Sequence, residues 1–161
     1  MGIVEDVSKE LQKIPWFHEL SNEHVQKIAN ITNLLHVKAG DVLFHEGDKE
    51  EYVYIVIEGR VALDMFIPHR GKIRFYTAEP WEVFGWSSVT PNIRQRTAGA
   101  TAVVDGLIVC VNSEKLRQAC DDDHDLGYLV MRRLANVVAS RLLVTRLQLL
   151  DMFANPETKN V

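Results

Sequence analysis

The segment Val83–Ala102, VFGWSSVTPNIRQRTAGATA, has the composition of a compact anion-binding loop. Gly85 allows backbone N–H groups to approach a ligand closely, because glycine has no side chain. An arginine at position 94 or 96 can hold two phosphate oxygens with its planar guanidinium. Further hydrogen-bond donors are the hydroxyls of Ser87, Ser88 and Thr97. The segment therefore predicts a phosphate-binding loop, with a hairpin of solvated arginines as the alternative.

Both ends of this segment resemble the phosphate-binding cassette of cyclic nucleotide-binding domains, in the spacing of the bacterial catabolite-activator family. The family pattern is Phe-Gly-Glu, a turn, and Arg-(Ser/Ala)-Ala, and it is matched by Phe84-Gly85 and by Arg96-Thr97-Ala98. Trp86 stands at the position of the family glutamate, which accepts a hydrogen bond from the ribose 2′-hydroxyl. The resemblance places candidate ligand-binding residues at Phe84, Gly85, Trp86, Ser87, Ser88, Arg94, Arg96 and Thr97, with the choice between Arg94 and Arg96 open.

Because Trp86 replaces the family glutamate, the sequence allows more than one function for the pocket. Losing the hydrogen bond to the ribose hydroxyl weakens nucleotide binding by ~1–3 kcal/mol, or about ten- to hundredfold, although the neighbouring Glu82 can partly replace it. Trp86 can instead line a pocket for a different anion, or fill the pocket. A filled pocket would make the domain a degenerate, non-binding structural or interaction module. The resemblance implies cyclic AMP or cyclic GMP as the ligand, and no further cofactor.

The middle of the chain predicts a rolled antiparallel sheet. Short β-branched or aromatic runs alternate with turn residues over 34–112, which is typical of an antiparallel barrel or jelly roll. The runs are residues 35–37, 42–44, 52–57, 61–66, 73–76 and 107–111. Segments 38–48 and 54–61 resemble two further signatures of the same family, and Gly40, Gly47 and Gly59 are predicted to form sharp corners of the sheet. The fold class is mainly β with flanking helices.

Helices are predicted on both sides of the roll. Residues 3–13 and the segment capped by Ser21 read as amphipathic helices, and Asn112 is predicted to begin a short helix that ends near Cys120. The sequence therefore predicts three parts of the chain: N-terminal helices over 1–33, the β-roll with the cassette at 83–102 over 34–112, and C-terminal helices over 113–161. The last helix, about 124–153, is apolar on more than one face, which predicts a homodimer through it. One helix lying in a groove of its own domain is the alternative.

The last helix also resembles the C-helix of the catabolite-activator family, in which a Thr-Ser pair meets the purine. Thr145 matches the threonine, and Arg146 stands where the serine would be, so both join the candidate ligand-binding residues. A cationic side chain there can stack on a base. In that family a helix-turn-helix domain follows, for which the residues after Phe153 leave no room. The expectation is a sensor half without direct DNA binding, with a separate output protein as the partner.

Composition bounds the class of protein. The chain has 161 residues, 47% of them hydrophobic, and a net charge of −4, so it predicts one globular domain rather than a general polyanion binder. No apolar run approaches the ~18 residues of a membrane span, and the first residues lack the pattern of a signal peptide. Cys110 and Cys120 are too few for a disulfide framework. A cytoplasmic protein without membrane contact is expected.

Rolled β-folds also host metal enzymes, so an enzyme of this kind is one function that the sequence must be compared with. No His-x-His, nucleophile elbow or P-loop is present, so the protein is predicted not to be an enzyme and to hold no metal. A haem-based sensor using His36, His45 or His124 is an alternative. The leading hypothesis is a stand-alone regulatory module that binds a cyclic nucleotide or another phosphate-bearing ligand and signals through its last helix in a dimer.

Overall fold

Two short α-helices precede the strands of the fold, and a short and then a long α-helix follow them. A computed structural model describes residues 2–49, 51–90, 92 and 95–154. The helices are α1 (Gly2–Gln12), α2 (Asn22–Ala29), α3 (Ser113–Asp122) and α4 (His124–Ala154), with 3-10 helices at Pro15–Glu19 and Trp86–Val89. The strands are β1 (Thr32–Val37), β2 (Val42–Phe44), β3 (Tyr52–Glu58), β4 (Val61–Ile67), β5 (Gly71–Ala78), β6 (Val83–Phe84), β7 (Gly99–Ala102) and β8 (Gly106–Asn112).

The strands form two four-stranded antiparallel sheets with the orders β1-β8-β3-β6 and β2-β7-β4-β5. Side chains from both sheets share one core, to which Tyr54, Val56 and Ile108 come from the first sheet and Val61 and Ala100 from the second. The period of two in the sequence therefore corresponds to a rolled double sheet. The predicted fold class, an antiparallel roll with flanking helices and a long C-terminal helix, is confirmed.

A second core lies between the first sheet and the helices. The opposite faces of β3 and β8 supply Val53, Ile55 and Val109, which pack with Leu11 of α1 and Leu126 of α4. Both strands are thus apolar on their two faces, which explains why their sequences read as continuous hydrophobic runs. Among the described residues, no helix has the length and apolar character needed to cross a membrane.

Local hydrogen bonds begin the helices at the predicted positions. The Ser21 hydroxyl accepts a bond of 3.1 Å from the backbone N–H of His24, and the Asn112 side chain accepts one of 2.9 Å from that of Lys115. Each bond satisfies a backbone donor that has no partner within the helix. The predicted helix starts are confirmed, because a cap depends on residues within one turn.

Two short strands were not predicted. β6 has two residues, and β7 is made of Gly99–Ala102, whose small residues lack the side chains that mark a strand. These strands pair with Tyr54-Ile55 and with β4, so the cassette segment (residues 83–102) is anchored in both sheets. The predicted glycine corners are confirmed by positive φ values of 93° at Gly40, 89° at Gly47 and 88° at Gly59.

Gly106 is expected to be the glycine least tolerant of a methyl group. A Cβ at this position would lie 2.2 Å from the carbonyl oxygen of Glu58 and 3.1 Å from the Cα of Gly59. Both neighbours are backbone atoms, so Gly106→Ala must separate β8 from the end of β3 and should lower the free energy of unfolding by on the order of 3 kcal/mol. Urea denaturation measures this loss. Gly99→Ala is the control, because a Cβ there would meet only the Asp64 carboxylate within 3 Å, and that side chain can rotate away; equal losses for both variants would contradict the steric account.

Asp123 links α2 to the start of α4 through a carboxylate with a lowered pKa. Its side chain accepts a bond of 2.7 Å from Lys27 Nζ and one of 3.1 Å from the backbone N–H of Leu126, and it lies 3.2 Å from His24 Nε2. The hydrogen bond from Lys27, followed by that from Leu126, lowers the Asp123 pKa from 3.8 to about 2. The folded state thus favours the ionised carboxylate. Its contribution to stability is present above the unfolded pKa and is lost as the pH falls from about 4 to about 2.

The variant Asp123→Asn tests this linkage. Wild-type protein should lose stability between pH 4 and pH 2 more steeply than Asp123→Asn, because the amide has no proton to bind in that range. Urea midpoints measured at half-unit pH steps show the difference. Asp121→Asn, which removes an exposed carboxylate two residues earlier, should retain the wild-type slope. A slope unchanged by Asp123→Asn would contradict the assignment.

Candidate functional site

A cavity of about 240 Å³ lies between the cassette segment and α4. Its walls from the roll are Phe44, Leu63, Phe75, Tyr76, Gly85, Trp86, Ser87, Arg96, Thr97 and Ala98, and its walls from α4 are Arg141, Val144, Thr145 and Gln148. Polar hydrogen-bond donors and aromatic rings therefore face one space, which we call the cassette cavity. This is the arrangement expected for a small ligand with a polar end and a flat apolar end.

Arg96 is a buried cation in the wall of this cavity. Its side chain is 4% exposed, and its guanidinium donates to the carbonyl oxygens of Gly85, at 3.0 Å, and of Tyr52. The guanidinium carbon lies 4.2 Å from the ring centre of Phe44 and 5.5 Å from that of Tyr54. Burial raises the pKa of Tyr54 to about 12, so its ring stays neutral beneath the cation. Carbonyls and rings together fix the direction in which the positive charge points.

Gly85 is required for this approach. Its φ is +66°, in the left-handed region, and the chain turns there from β6 into the 3-10 helix that begins at Trp86. A Cβ at position 85 would lie 2.7 Å from the Arg96 Nη1 atom and 3.0 Å from the Tyr54 ring. The glycine thus permits both the turn and the contact between the Gly85 carbonyl and Arg96.

Two of the candidate residues in the cassette segment are not in the walls of the cavity. Phe84 is 1% exposed and stacks on Tyr54, with ring centres 5.0 Å apart, because it alternates inward on β6. Ser88 is 3% exposed, donates to the Gly85 carbonyl oxygen at 2.8 Å and accepts from the Ser113 hydroxyl at 2.6 Å. Ser88 therefore links the cassette segment to the first residue of α3, and both residues support the site rather than facing the space.

Trp86 lines the cassette cavity without filling it. Its ring also packs against the core between the first sheet and the helices, which holds the indole at the edge of the space. Glu82, the neighbouring acid, is not in the walls; it accepts 2.7 Å and 2.8 Å bonds from the Tyr76 hydroxyl and the Glu79 N–H. Glu82 is therefore engaged beside the cavity, and its replacement of the family glutamate is not supported by this geometry.

Two polar α4 residues of the cavity were not among the residues predicted from the sequence. Arg141 donates to the Val83 carbonyl oxygen at 3.0 Å, lies 3.6 Å from the Glu82 carboxylate and stands 3.4 Å above the Tyr76 ring. Burial lowers the pKa of Arg141 to about 10, so it is still a cation at neutral pH. Gln148 donates to the Phe75 carbonyl oxygen at 2.9 Å. The signal was available, because positions 141, 144, 145 and 148 share one helix face.

The two candidates on α4 point in different directions. Thr145 lines the cavity, and its hydroxyl donates to the Arg141 carbonyl oxygen at 2.9 Å. Arg146 is exposed and not in the walls, because adjacent residues of an α-helix project about 100° apart. The structure thus brings together Gly85, Trp86, Ser87, Arg96, Thr97 and Thr145. Arg94 lies outside the described residues.

Metal binding receives no support from the described part of the chain, where no three His, Cys, Asp or Glu side chains are grouped to hold an ion. His36, His45 and His124 are exposed and lie on or beside separate elements, β1, β2 and the start of α4. None of them lines the cassette cavity. The haem hypothesis therefore has no pocket that collects these histidines within the described residues.

The rolled sheet and the cassette cavity define a class of ligand-binding regulatory domain. The family model for the cyclic nucleotide-binding domain matches residues 34–123, more than half of the chain, and the chain belongs to this family. The predicted resemblance is confirmed at this level. A comparison with curated proteins finds no match.

Solved structures similar to this chain include a cyclic nucleotide-binding domain, a sensor domain and a catabolite activator protein. A cyclic nucleotide-binding domain from Methylobacillus flagellatus is 22% identical, with a TM-score of 0.76 over 92% of this chain and 83% of that one. The sensor domain of the transcriptional regulator DNR from Pseudomonas aeruginosa is 18% identical, with a TM-score of 0.71 over 88% and 95%. The catabolite activator protein of Thermus thermophilus is 26% identical, with a TM-score of 0.69 over 87% and 63%. The two with lower identity support the fold.

Proposed function

We propose that this protein is a regulatory module that binds a cyclic nucleotide, or another small phosphate-bearing ligand, in the cassette cavity. The observation that carries the proposal is the convergence of Arg96, Thr97 and the Gly85–Ser87 backbone on a space that α4 closes from the other side. The module is a sensor rather than an enzyme. Its ligand is cyclic AMP or cyclic GMP, and Thr145 and Gln148 contact the part of the ligand that lies toward α4.

The charges of the cavity favour an anion. Arg96 and Arg141 approach it from opposite walls, and their burial strengthens their attraction for a phosphate, although Glu82, 3.6 Å from Arg141, offsets part of the Arg141 charge. Thr97 adds a hydroxyl, and the Trp86 indole offers an apolar face for a base. Arg94 is retained as an alternative phosphate ligand, and Arg146 as a residue that approaches the ligand when α4 moves.

Signalling in this proposal passes through a homodimer formed by α4. One exposed line of α4 is formed by residues at alternating steps of four and three, which repeat every seven residues. This line, which we call the α4 seam, consists of Met131, Ala135, Val138, Leu142, Thr145, Leu149 and Met152. Spacing of this kind matches two helices that pack as a coiled coil. Thr145 belongs to both the seam and the cassette cavity. A ligand that contacts Thr145 therefore has different affinities for different seam geometries, and this difference alone can shift their populations.

A separate output protein completes the proposed pathway. Leu143, Leu147 and Leu150 are more than half exposed and lie on a side of α4 different from the seam. They remain uncovered when the seam pairs, and we assign them to the output contact. The site of action is the cytoplasm.

A calorimetric titration with cyclic AMP tests the ligand, with cyclic GMP and 5′-AMP as comparison ligands. The expected result is saturable binding of a cyclic nucleotide in the micromolar range. Absence of heat with all three ligands at millimolar concentration would favour the alternative, a non-binding interaction module in which the cavity has a structural role. The oligomeric state is measured in the same preparations by light scattering.

A further inference from the structure

A second cavity of about 240 Å³ lies between the 3-10 helix Pro15–Glu19 and α4. Its polar walls are Trp16, Glu19, Arg132, Arg133 and Asn136, and it has no wall residue in common with the cassette cavity. We call it the Trp16 cavity. Its lining is rich in N–H donors, unlike the apolar space expected between two packed helices.

Two of these donors are buried without a partner. Trp16 Nε1 and Arg133 Nε are both inaccessible to solvent and, among the described residues, neither has a hydrogen-bond acceptor. The Arg133 guanidinium lies 5.7 Å from the Trp16 ring centre, so the donors belong to one cluster. Buried donors are normally paired, since leaving one unpaired costs its lost hydration. Both side chains line the Trp16 cavity, so an acceptor that enters it and displaces either side chain slightly would satisfy these donors.

The charges indicate what kind of acceptor fits. Arg132 Nη2 lies 2.7 Å from Glu19 Oε2, so these two charges compensate each other. Within the described residues, no carboxylate is paired with Arg133, and the cluster therefore carries about one positive charge. A small anion with several acceptor oxygens would both neutralise the positive charge and accept hydrogen bonds from the donors, whereas a water molecule would only accept the hydrogen bonds.

We propose that the Trp16 cavity is a second binding site, for a small oxyanion of the phosphate or carboxylate class, held by Arg133 and the Trp16 indole N–H. Glu19 limits the charge that the site accepts, because its carboxylate lies at the same opening. The site is independent of the proposed cyclic nucleotide. A bound anion would join the segment before α2 to the first half of α4, and it would raise the melting temperature in proportion to its concentration relative to Kd.

The test follows the indole N–H signals of the ¹⁵N-labelled full chain during titration with inorganic phosphate and, separately, acetate, at constant ionic strength. The chain has three tryptophans, so Trp16→Phe assigns the signal of interest. The expected result is a saturable shift of the Trp16 signal with one of the two anions, which identifies the preferred class. The Trp86 signal serves as the internal comparison, because Trp86 reports the cassette cavity.

Variants separate a built site from general ion binding. Arg133→Met keeps the aliphatic packing and should weaken anion binding at least tenfold. Trp16→Phe should reduce the rise in melting temperature that the same anion causes. Arg117→Met, which removes an arginine of α3 outside both cavities, should bind like wild type. Shifts that do not saturate, or that Arg133→Met leaves unchanged while its amide spectrum remains folded, would mean an adventitious ion only and would overturn the proposal.

Discussion

Arg96→Met is expected to weaken cyclic nucleotide binding by at least a hundredfold. Arg96 is the buried cation of the cassette cavity, and in the proposed complex it would make two charge-assisted hydrogen bonds to the phosphate, each worth about 1.5–3 kcal/mol, which methionine cannot make. The carbonyl oxygens of Gly85 and Tyr52 also lose their donor, which should lower the free energy of unfolding by about 2 kcal/mol. Calorimetric titration and urea denaturation of the same sample measure the two effects.

Matched variants distinguish loss of the ligand contact from loss of the fold. Arg96→Lys keeps a positive charge without the planar fork, and it should bind more weakly than wild type but more tightly than Arg96→Met. Thr97→Val keeps the shape of the wall and removes one hydroxyl, so affinity should fall about tenfold with stability nearly unchanged. A folded Arg96→Met protein with wild-type affinity would refute the proposed site.

The double variant Leu142→Glu with Leu149→Glu is expected to convert a dimer into a monomer. Both leucines lie on the α4 seam and are about half exposed in the single chain, 49% and 51%. Burying a fully exposed leucine contributes about 1.5–3 kcal/mol, so burying the exposed half of each leucine in both copies of the proposed dimer contributes about 3–6 kcal/mol. Its loss should raise the dimer dissociation constant by more than a hundredfold. Two opposed rows of carboxylates add repulsion. Sedimentation velocity over a range of protein concentrations measures the change.

The matched control is Leu143→Glu with Leu150→Glu, which introduces the same two charges on the same helix outside the seam. This variant should remain dimeric, because those leucines, 58% and 62% exposed, face away from the seam line. Dissociation of both variants would place the contact on a broader face of α4. A monomeric wild-type protein would refute the homodimer and leave Leu142 available to another partner.

Much of the fold could be predicted from local sequence patterns, because the interactions that begin helices and form turns involve residues close together in the chain. Ser21 and Asn112 cap helices within one turn, and Gly59 marks a corner by its own backbone angle. The strand β7 was missed because its residues, Gly99–Ala102, derive their conformation from pairing with β4, which is distant in sequence. Strand identity there is a property of the sheet and not of the segment.

The candidate site was predictable on one side and much less so on the other. Gly85 and Arg96 lie on one short segment whose spacing can be recognised, so their approach could be anticipated. Arg141 and Gln148 reach the same space only because α4 crosses the roll at a particular angle. The Trp16 cavity depends likewise on how a 3-10 helix meets α4, a packing relation that no spacing in the sequence encodes.

The hydrogen bond between the Ser88 and Ser113 hydroxyls has a mechanical consequence. It fastens the 3-10 helix of the cassette segment to the first residue of α3, so these elements move as one piece. Between α3 and α4 only Asp123 has extended backbone angles, so a change in the direction of α4 relative to α3 would occur there. α4 has 31 residues and is about 46 Å long, so a pivot of ~10° at Asp123 carries its far end through about 8 Å. In the proposed signalling, a small adjustment beside Gly85 that turned α4 at this point would be amplified along the helix into a displacement of several ångströms at its far end.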